Sequence, residues 1–204
     1  MSFFTEYRHE LCESLNNNKN VAILAGSFKP PHKGHYAMVK HYSDMVGADG
    51  NVVVFISKPS AKSERIAANG KAISAETAKS IFEMYCSNLP NVSFQISPIS
   101  PVKSCYDFGE QVNGENITLI CGCSDKDEDL KRWNRIKEYI EQHYPNIYVV
   151  DPQTTAVPAT LDAGGVVSAS QFRNSFGDIT KMCSFMPDHL NDGTKKKIAQ
   201  MLLA

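Results

Sequence analysis

The sequence lacks the features that would place the protein in a membrane or on nucleic acid. No apolar run approaches the ~20 residues that a membrane-spanning helix needs. The first residues, MSFFTEYRHE, have neither the basic start nor the apolar centre of a secretory signal. The formal net charge is -1, which provides no positive field to gather a polyanion. We therefore expect a cytoplasmic protein that binds neither a membrane nor nucleic acid.

Paired cysteines are also missing. Six cysteines are scattered along the chain without a CxxC spacing, and a reducing cytoplasm keeps such thiols free. Cys121 and Cys123 could ligate a metal, but the second pair that a structural zinc site requires is absent from the sequence. We expect the cysteines to serve as small buried apolar residues, and we expect no dedicated metal site.

What the sequence does contain is a regular alternation of short apolar runs and helix-length segments. Five such runs are typical of βαβ units, which build a parallel sheet. A length of 204 residues suits one hydrophobic core, so we expect a single domain over residues 1–204. The predicted strands are 21–25, 52–56, 92–96, 117–121 and 147–150.

Helix-start signals lie between these runs. Ser74, Ser100 and Ser124 are predicted N-caps, and Pro101 suits a first helical turn because its missing N–H loses no hydrogen bond. Apolar residues at helical spacing predict a helix within residues 1–20. The stretch 152–165 has no periodic pattern and predicts a long surface loop. A helical segment is expected at 177–204, after a core of 21–176.

The segment most informative about function is GSFKPPHKGH, residues 26–35, which directly follows the first predicted strand. His32 and His35 are three residues apart, so both can face one phosphate where the next helix begins. Ligands of open α/β sheets bind at this carboxyl edge, and helix N-termini favour anions. Lys29 and Lys33 add positive charge to the same loop.

A second polar segment lies near the end of the predicted core. Ser168, Ser170 and Arg173 place two hydroxyl groups and a guanidinium at a helix start. These groups form an anion site. An ordinary serine cap beside an exposed arginine is the alternative for this segment taken alone.

Together the two segments resemble the two signatures of the cytidylyltransferase-like nucleotidyltransferase superfamily. The HxGH signature is present as HKGH at 32–35, and VSASQFR at 167–173 is similar to the ISxTxxR-type stretch. The resemblance extends over residues 21–176. Between the two signatures it depends on the order of predicted strands and helices more than on identical residues. Many members carry aspartate at the position of Lys29. The lysine here looks more like the polar variants of archaeal-type nicotinamide mononucleotide adenylyltransferases. Ser170 stands where threonine is usual.

The resemblance implies a Rossmann-like α/β fold, with a parallel sheet of about five strands, helices on both faces and a C-terminal helical segment. It also implies that His32 and His35 are catalytic, contacting the phosphates and stabilising the transition state. The implied nucleotide-binding residues are Gly26, Ser27, Phe28, Lys29, Lys33, Gly34, Gly122, Asp125, Lys126, Ser168, Ser170 and Arg173. The implied acceptor-binding residues are Ser57, Lys58 and Lys62, for which a solvated charged loop is the alternative.

We therefore expect a nucleotidyltransferase that transfers a nucleotidyl group, AMP being favoured, to a phosphorylated small molecule such as nicotinamide mononucleotide. Pyrophosphate would leave, and Mg²⁺ would accompany the triphosphate, held mainly by the nucleotide and water. The acceptor phosphate is already ionised, so no general base is required. A homo-oligomer is compatible with the sequence.

Three other functions can be set against this expectation. A cytidylyltransferase would use CTP and a phospho-alcohol. A nucleotide-binding protein without catalysis would serve as a sensor or an assembly component. The presence of both histidines argues against this function, because binding alone depends less on them. A class I aminoacyl-tRNA synthetase also carries HxGH, but its second signature loop follows the nucleotide-binding sheet, whereas the lysine-rich segment 58–63 follows the second predicted strand.

Overall fold

One parallel sheet forms the centre of the protein. The computed structural model describes residues 20–58, 65–158 and 167–204. In these ranges five strands pair in the order β3-β2-β1-β4-β5, all parallel. The five predicted strands are confirmed, with their ends shifted by one residue at most. They are β1 Asn20–Gly26, β2 Asn51–Ser57, β3 Val92–Ser97, β4 Ile117–Gly122 and β5 Ile147–Val149.

Helices cover both faces of this sheet, which makes the fold Rossmann-like with additional C-terminal helices. Helices α1, α2, α6, α7 and α8 bury side chains in the core on one face, and α3 and α4 do so on the other. The helices are α1 Lys33–Val46, α2 Ala75–Tyr85, α3 Pro101–Gln111, α4 Asp127–His143, α5 Pro152–Thr155, α6 Ala169–Asn174, α7 Ile179–Ser184 and α8 Asp192–Leu203.

Strand β1 lies in the middle of the sheet and separates the two cores. Its residues alternate between the faces: Ala22 and Leu24 belong to one core, and Val21 and Ile23 to the other. All four are fully buried. A strand with apolar residues on both faces must lie inside a covered parallel sheet, so the loop that follows β1 emerges at the centre of the carboxyl edge.

The predicted caps are confirmed for two helices and wrong for a third. Ser74 and Ser100 accept hydrogen bonds from the backbone N–H groups three residues onward. Ser124 is not a cap, because α4 begins at Asp127 with Lys126 in the N-cap position. Acidic residues in the first turn of α4 complement its dipole instead.

The predicted surface loop 152–165 is wrong in its first part. The Asp151 carboxylate accepts from the Gln153 N–H at 2.9 Å, and Pro152 occupies the first turn of the short helix α5. Val157 is buried and forms a parallel bridge with Ser124. This segment therefore packs beside the end of β4. Residues 159–165 lie outside the described ranges.

Other predictions are confirmed or fall on parts of the chain that are not described. Cys86, Cys105, Cys121 and Cys123 are buried and free, whereas Cys183 is free but only partly buried, and Cys12 lies outside the described residues. The predicted N-terminal helix lies almost wholly, and Lys62 entirely, outside the described residues. No helix within the described ranges is both long and apolar enough to cross a membrane.

Candidate functional site

A cleft of about 590 Å³ lies at the carboxyl edge of the sheet. The chain leaves β1 towards β2 on one side, while β4 pairs with β1 on the other. Such a switch point leaves a gap between neighbouring loops, where open α/β folds bind ligands. The loop after β1, the end of β4 and the starts of α1, α4 and α6 line the cleft. Its volume falls within the range of small-molecule sites.

In the loop after β1, the ring of Phe28 packs against both Gly26 and His35. Phe28 has a φ of 51°, in the left-handed region that non-glycine residues rarely adopt, and its side chain is buried. A Cβ atom at Gly26 would lie 2.8 Å from the Phe28 ring, so only glycine fits beneath it. The ring also packs edge to face on His35, with centroids 5.0 Å apart. Phe28 therefore supports the catalytic candidate His35.

His32 and His35 form one stacked unit at the start of α1. Their ring centroids are 3.6 Å apart and the ring planes are inclined by 23°. His32 occupies the N-cap position, and its backbone N–H donates to Nδ1 of His35 at 3.3 Å. Since Nδ1 accepts this hydrogen bond, a neutral His35 carries its proton on Nε2. Nε2–H is then the donor available to a ligand.

Both histidines are neutral at neutral pH. Burial lowers the pKa of His32 to about 4, and burial followed by the charge of His32 lowers the pKa of His35 well below its usual value. A Cβ atom at Gly34 would lie 3.2 Å from Nδ1 of His32, so this glycine leaves room for the imidazole. The pair offers N–H donors rather than two fixed charges.

Lys29 is a buried cation between this loop and β2. Its side chain is 1% exposed, and its ammonium group donates to the carbonyl oxygen of Ser57 at 2.6 Å. Burial lowers the pKa of Lys29 to about 8; nearby Glu76 raises it and nearby Arg65 lowers it further. The ammonium group is therefore mainly charged at neutral pH and gains from an anion beside it.

The start of α6 completes the cleft on the far side. The Ser168 hydroxyl oxygen accepts from the Gln171 N–H at 3.1 Å, which caps the helix. Arg173 donates from Nη2 to the hydroxyl oxygen of Ser170 at 2.9 Å and from Nη1 to the carbonyl oxygen of Lys29 at 2.7 Å. These bonds fix the guanidinium group between the two sequence segments.

Positive charges converge in the cleft. Burial and the nearby charge of Arg65 lower the pKa of Arg173, and Arg65 also lowers the pKa of Lys29. Burial is the largest cause of each pKa shift, and repulsion by the nearby Arg65 adds to it. Such repulsion is relieved when an anion binds among these cations, so the cleft suits a ligand with several negative charges.

Gly122 at the end of β4 and Lys126 at the N-cap of α4 line the cleft. A Cβ atom at Gly122 would lie 2.5 Å from Cγ of Leu24, so packing alone requires this glycine. Two predicted nucleotide-binding residues, Asp125 and Lys33, are not among the described residues that line the cleft. The N–H of Asp125 donates to the carbonyl oxygen of Val157 at 2.9 Å. The N–H of Lys33 donates to the carbonyl oxygen of Phe185 at 2.8 Å.

The structure brings most of the predicted site residues into this one cleft. They come from segments that are far apart in the sequence, and their roles there stay predictions. They are Gly26, Ser27, Phe28, Lys29, His32, Gly34, His35, Gly122, Lys126, Ser168, Ser170 and Arg173.

A second cavity of about 520 Å³ adjoins the first. The two share five lining residues: Ala25, Gly26, Ser27, Arg65 and Arg132. The predicted acceptor residues Ser57 and Lys58 line the second cavity, not the first. Its remaining wall is formed by residues 98–102, at and before the start of α3.

Sequence reasoning did not assign roles to several lining residues on α4. Arg132 and Trp133 lie three and four residues after Asp129, so each neighbours Asp129 on the helix surface, and all three line the cleft. A usable signal was present: α4 follows β4 directly, which places its first turns at the carboxyl edge. Trp133 is 2% exposed and belongs to the core as well.

Comparison with known proteins yields one family. The family model described as cytidylyltransferase-like matches residues 23–172. This range extends from β1 through the stacked histidines to α6, and it ends one residue before Arg173. No curated protein matches the sequence.

Proposed function

This chain belongs to the cytidylyltransferase-like family, and from that premise we propose that it transfers AMP from ATP to a phosphorylated small molecule such as nicotinamide mononucleotide. Family membership supports nucleotidyltransferase activity in general. The observation that carries the proposal is the pair of adjoining cavities, one of which holds two neutral histidines and converging cations. Two substrates, one in each cavity, can meet beside the residues that line both.

In this proposal the triphosphate occupies the first cleft. Ser168, Ser170 and Arg173 would bind the β- and γ-phosphates, because hydroxyl groups and an oriented guanidinium suit phosphate oxygens. The ammonium group of Lys29 would stabilise negative charge beside the α-phosphate. Its burial strengthens that attraction, since water screens it less.

The reaction is one displacement at the α-phosphorus. An oxygen of the acceptor phosphate forms a bond to this phosphorus while the bond to the β-phosphate oxygen breaks, and pyrophosphate leaves with the electron pair. No proton has to be removed from the attacking oxygen. The rate enhancement would come from alignment of the two substrates and from donors aimed at the charge that develops on the phosphoryl oxygens.

His32 and His35 would supply those donors. A neutral imidazole hydrogen-bonds to an anion without requiring a second charge in the stacked pair. The hydrogen bond from the His32 N–H to Nδ1 of His35 keeps the Nε2 proton of His35 in place. The ring of Phe28 holds His35 from its edge. Both contacts exist before a ligand binds, so little reorganisation is needed.

The residues present fit a Mg²⁺ ion that arrives with the triphosphate. Within the described ranges no group of three or more His, Cys, Asp or Glu side chains could hold a metal. The cleft lining described there includes one carboxylate, Asp129. Magnesium would be held mainly by phosphate oxygens and water, and it would neutralise charge on the phosphates.

The second cavity supports an acceptor that carries both a phosphate and a ring. Ser57, Lys58 and the two shared arginines provide polar contacts. Pro98, Ile99 and Val102 provide an apolar wall, and Ile99 is 72% exposed. An apolar side chain so open to water gains from contact with a flat ring. Nicotinamide mononucleotide satisfies both requirements better than a small phospho-alcohol does.

Pyrophosphate release tests the proposal. ATP, CTP, GTP and UTP are each combined with nicotinamide mononucleotide, phosphocholine or glycerol 3-phosphate in the presence of Mg²⁺. We expect release with ATP and nicotinamide mononucleotide. Turnover with CTP alone would contradict the adenylyl assignment. No release with any pair, accompanied by thermal stabilisation by ATP and Mg²⁺, would indicate a nucleotide-binding protein without catalysis.

A further inference from the structure

Two arginines stand at the boundary between the two cavities. Among the described residues, Arg65 and Arg132 are the cationic side chains that line both spaces. Arg65 precedes the short bridge between Ile66 and Ala72, and Arg132 lies on α4, so the two come from separate elements. Residues 25–27, which follow directly from β1, also line both cavities.

Arg132 is held in place by a short chain of polar contacts. Its Nη1 atom lies 3.5 Å from Oδ1 of Asp129. The Ser124 hydroxyl donates to the other carboxylate oxygen, Oδ2, at 2.6 Å. The carboxylate is thus fixed from one side and orients the guanidinium from the other. The Arg132 side chain is 44% exposed, so its remaining N–H groups are open to a ligand.

The position of Arg132 matches a requirement of the proposed reaction. An attacking phosphate and an α-phosphoryl group, both negative, must approach each other at the boundary between the cavities. A cation that reaches both spaces offsets their repulsion. A guanidinium can also bind a phosphate through two parallel hydrogen bonds. Lys58 lines the acceptor cavity only and Lys29 the triphosphate cleft only.

We propose that Arg132, oriented by Asp129, is a further catalytic residue that binds the acceptor phosphate at the boundary between the two cavities. Asp129 is its positioning residue. This inference rests on the proposed function, because it assigns a group to the acceptor side of that reaction. Arg65 also lines both cavities, from a different segment of the chain.

The test compares Arg132→Gln and Arg132→Lys with Arg135→Gln. Arg135 is an exposed arginine on the same helix that lines neither cavity, so it is a matched control. With ATP and nicotinamide mononucleotide we expect Arg132→Gln to lower kcat/KM for the acceptor by about 30-fold, with KM for ATP changed by less than about 3-fold. Arg132→Lys should retain more of the wild-type kcat/KM than Arg132→Gln does. Arg135→Gln should have wild-type kinetics.

Two further measurements separate catalysis from structure. Guanidinium ion added to Arg132→Ala should restore part of the rate and should leave Arg135→Ala unchanged. Asp129→Asn should lower kcat/KM for the acceptor in the wild-type background and have almost no further effect in Arg132→Gln, because a positioning residue acts through its partner. Independent losses in the two backgrounds would contradict the positioning role.

The outcomes distinguish this inference from the function on which it rests. A wild-type protein that releases no pyrophosphate with any pair overturns both. An active wild type whose Arg132→Gln variant behaves like Arg135→Gln overturns only the role of Arg132. An Arg132→Gln variant that raises KM for ATP but not for the acceptor also overturns it, because the side chain then serves the triphosphate.

Discussion

Nη1 of Arg173 donates a hydrogen bond to the carbonyl oxygen of Lys29 at 2.7 Å, across 144 positions of sequence. The same guanidinium donates from Nη2 to Ser170. One side chain therefore joins the loop after β1 to the start of α6. The two sequence segments that predicted a phosphate site are parts of one hydrogen-bonded structure.

Removing this connection should affect both stability and triphosphate binding. For Arg173→Gln we expect the free energy of unfolding to fall by about 1.5–3 kcal/mol, the usual effect of hydrogen bonds to a charged group. KM for ATP should rise at least about 10-fold, since a charge-assisted contact is lost. Urea denaturation and steady-state kinetics measure the two effects. Ser170→Ala, which removes one acceptor and keeps the charge, should lie between wild type and Arg173→Gln.

Lys29 should make ATP binding sensitive to alkaline pH. Its folded pKa of about 8 means that the cation is lost as pH rises through 8, so KM for ATP should increase from pH 7.5 to 9. Bound phosphate favours the charged form and moves the midpoint upward. Lys29→Met should have a high KM at neutral pH with a flatter profile over this range. A wild-type KM that stays constant up to pH 9.5 would show that Lys29 does not face the phosphates.

The lowered pKa of Lys29 should also affect stability. Whereas ATP binding should weaken as pH rises, the folded state should become more stable. A lysine whose folded pKa lies below its unfolded value of 10.5 binds fewer protons in the folded state between about pH 8 and 10.5. Stability from this residue therefore rises with pH across that window. Urea denaturation of wild type and Lys29→Met from pH 7.5 to 10 measures the difference. The wild type should gain stability relative to the variant as pH increases.

The stacked histidines should make the fold sensitive to acid. The folded pKa of His32 is lowered to about 4 from an unfolded value of 6.5, and that of His35 is lowered as well. Stability from these groups is complete above pH 6.5 and is lost as pH falls towards 4. The slope approaches about 1.4 kcal/mol per pH unit for each histidine.

Variants at the histidines provide the test of that acid sensitivity. Urea denaturation between pH 4.5 and 7 should show a shallower dependence for His32→Gln than for wild type, and a still shallower one when His35→Gln is added. Parallel curves for all three proteins would mean that neither histidine is buried in its neutral form.

Gly122 should be a packing residue rather than a nucleotide contact. For Gly122→Ala we expect the free energy of unfolding to fall by about 1–3 kcal/mol, because the added methyl group overlaps Leu24 in a filled core. In a Leu24→Ala background the same change should be less costly, since the opposing side chain is gone. A higher KM for ATP with unaltered stability would instead support ligand contact at this position.

The sheet was predictable from sequence because its central strands, β1 and β2, are apolar on both faces. Runs such as the one that became β1 carry no polar residue to obscure them, and the helices between them have recognisable caps. The phosphate-facing loop was predictable for a related reason. A histidine pair directly after the central strand reaches the carboxyl edge whatever the details of packing.

Contacts that depend on the packed backbone were not predictable from the sequence. The contact of Phe28 with Gly26 depends on an unusual backbone φ that the sequence does not reveal. Ser124 met the pattern of an N-cap, yet its hydroxyl donates to Asp129, because Val157 bridges to Ser124 and continues the strand pattern there. The role of Arg132 depends on which cavities its helix face borders, and this follows only from the packed structure.

Isotope transfer tests the central claim most directly. Nicotinamide mononucleotide carrying ¹⁸O in its phosphate is incubated with unlabelled ATP, Mg²⁺ and the protein, and the products are analysed by mass spectrometry. If the acceptor phosphate attacks the α-phosphorus, the dinucleotide product retains all of the label and the released pyrophosphate contains none. Labelled pyrophosphate, or hydrolysis of ATP without a dinucleotide, would contradict nucleotidyl transfer to this acceptor.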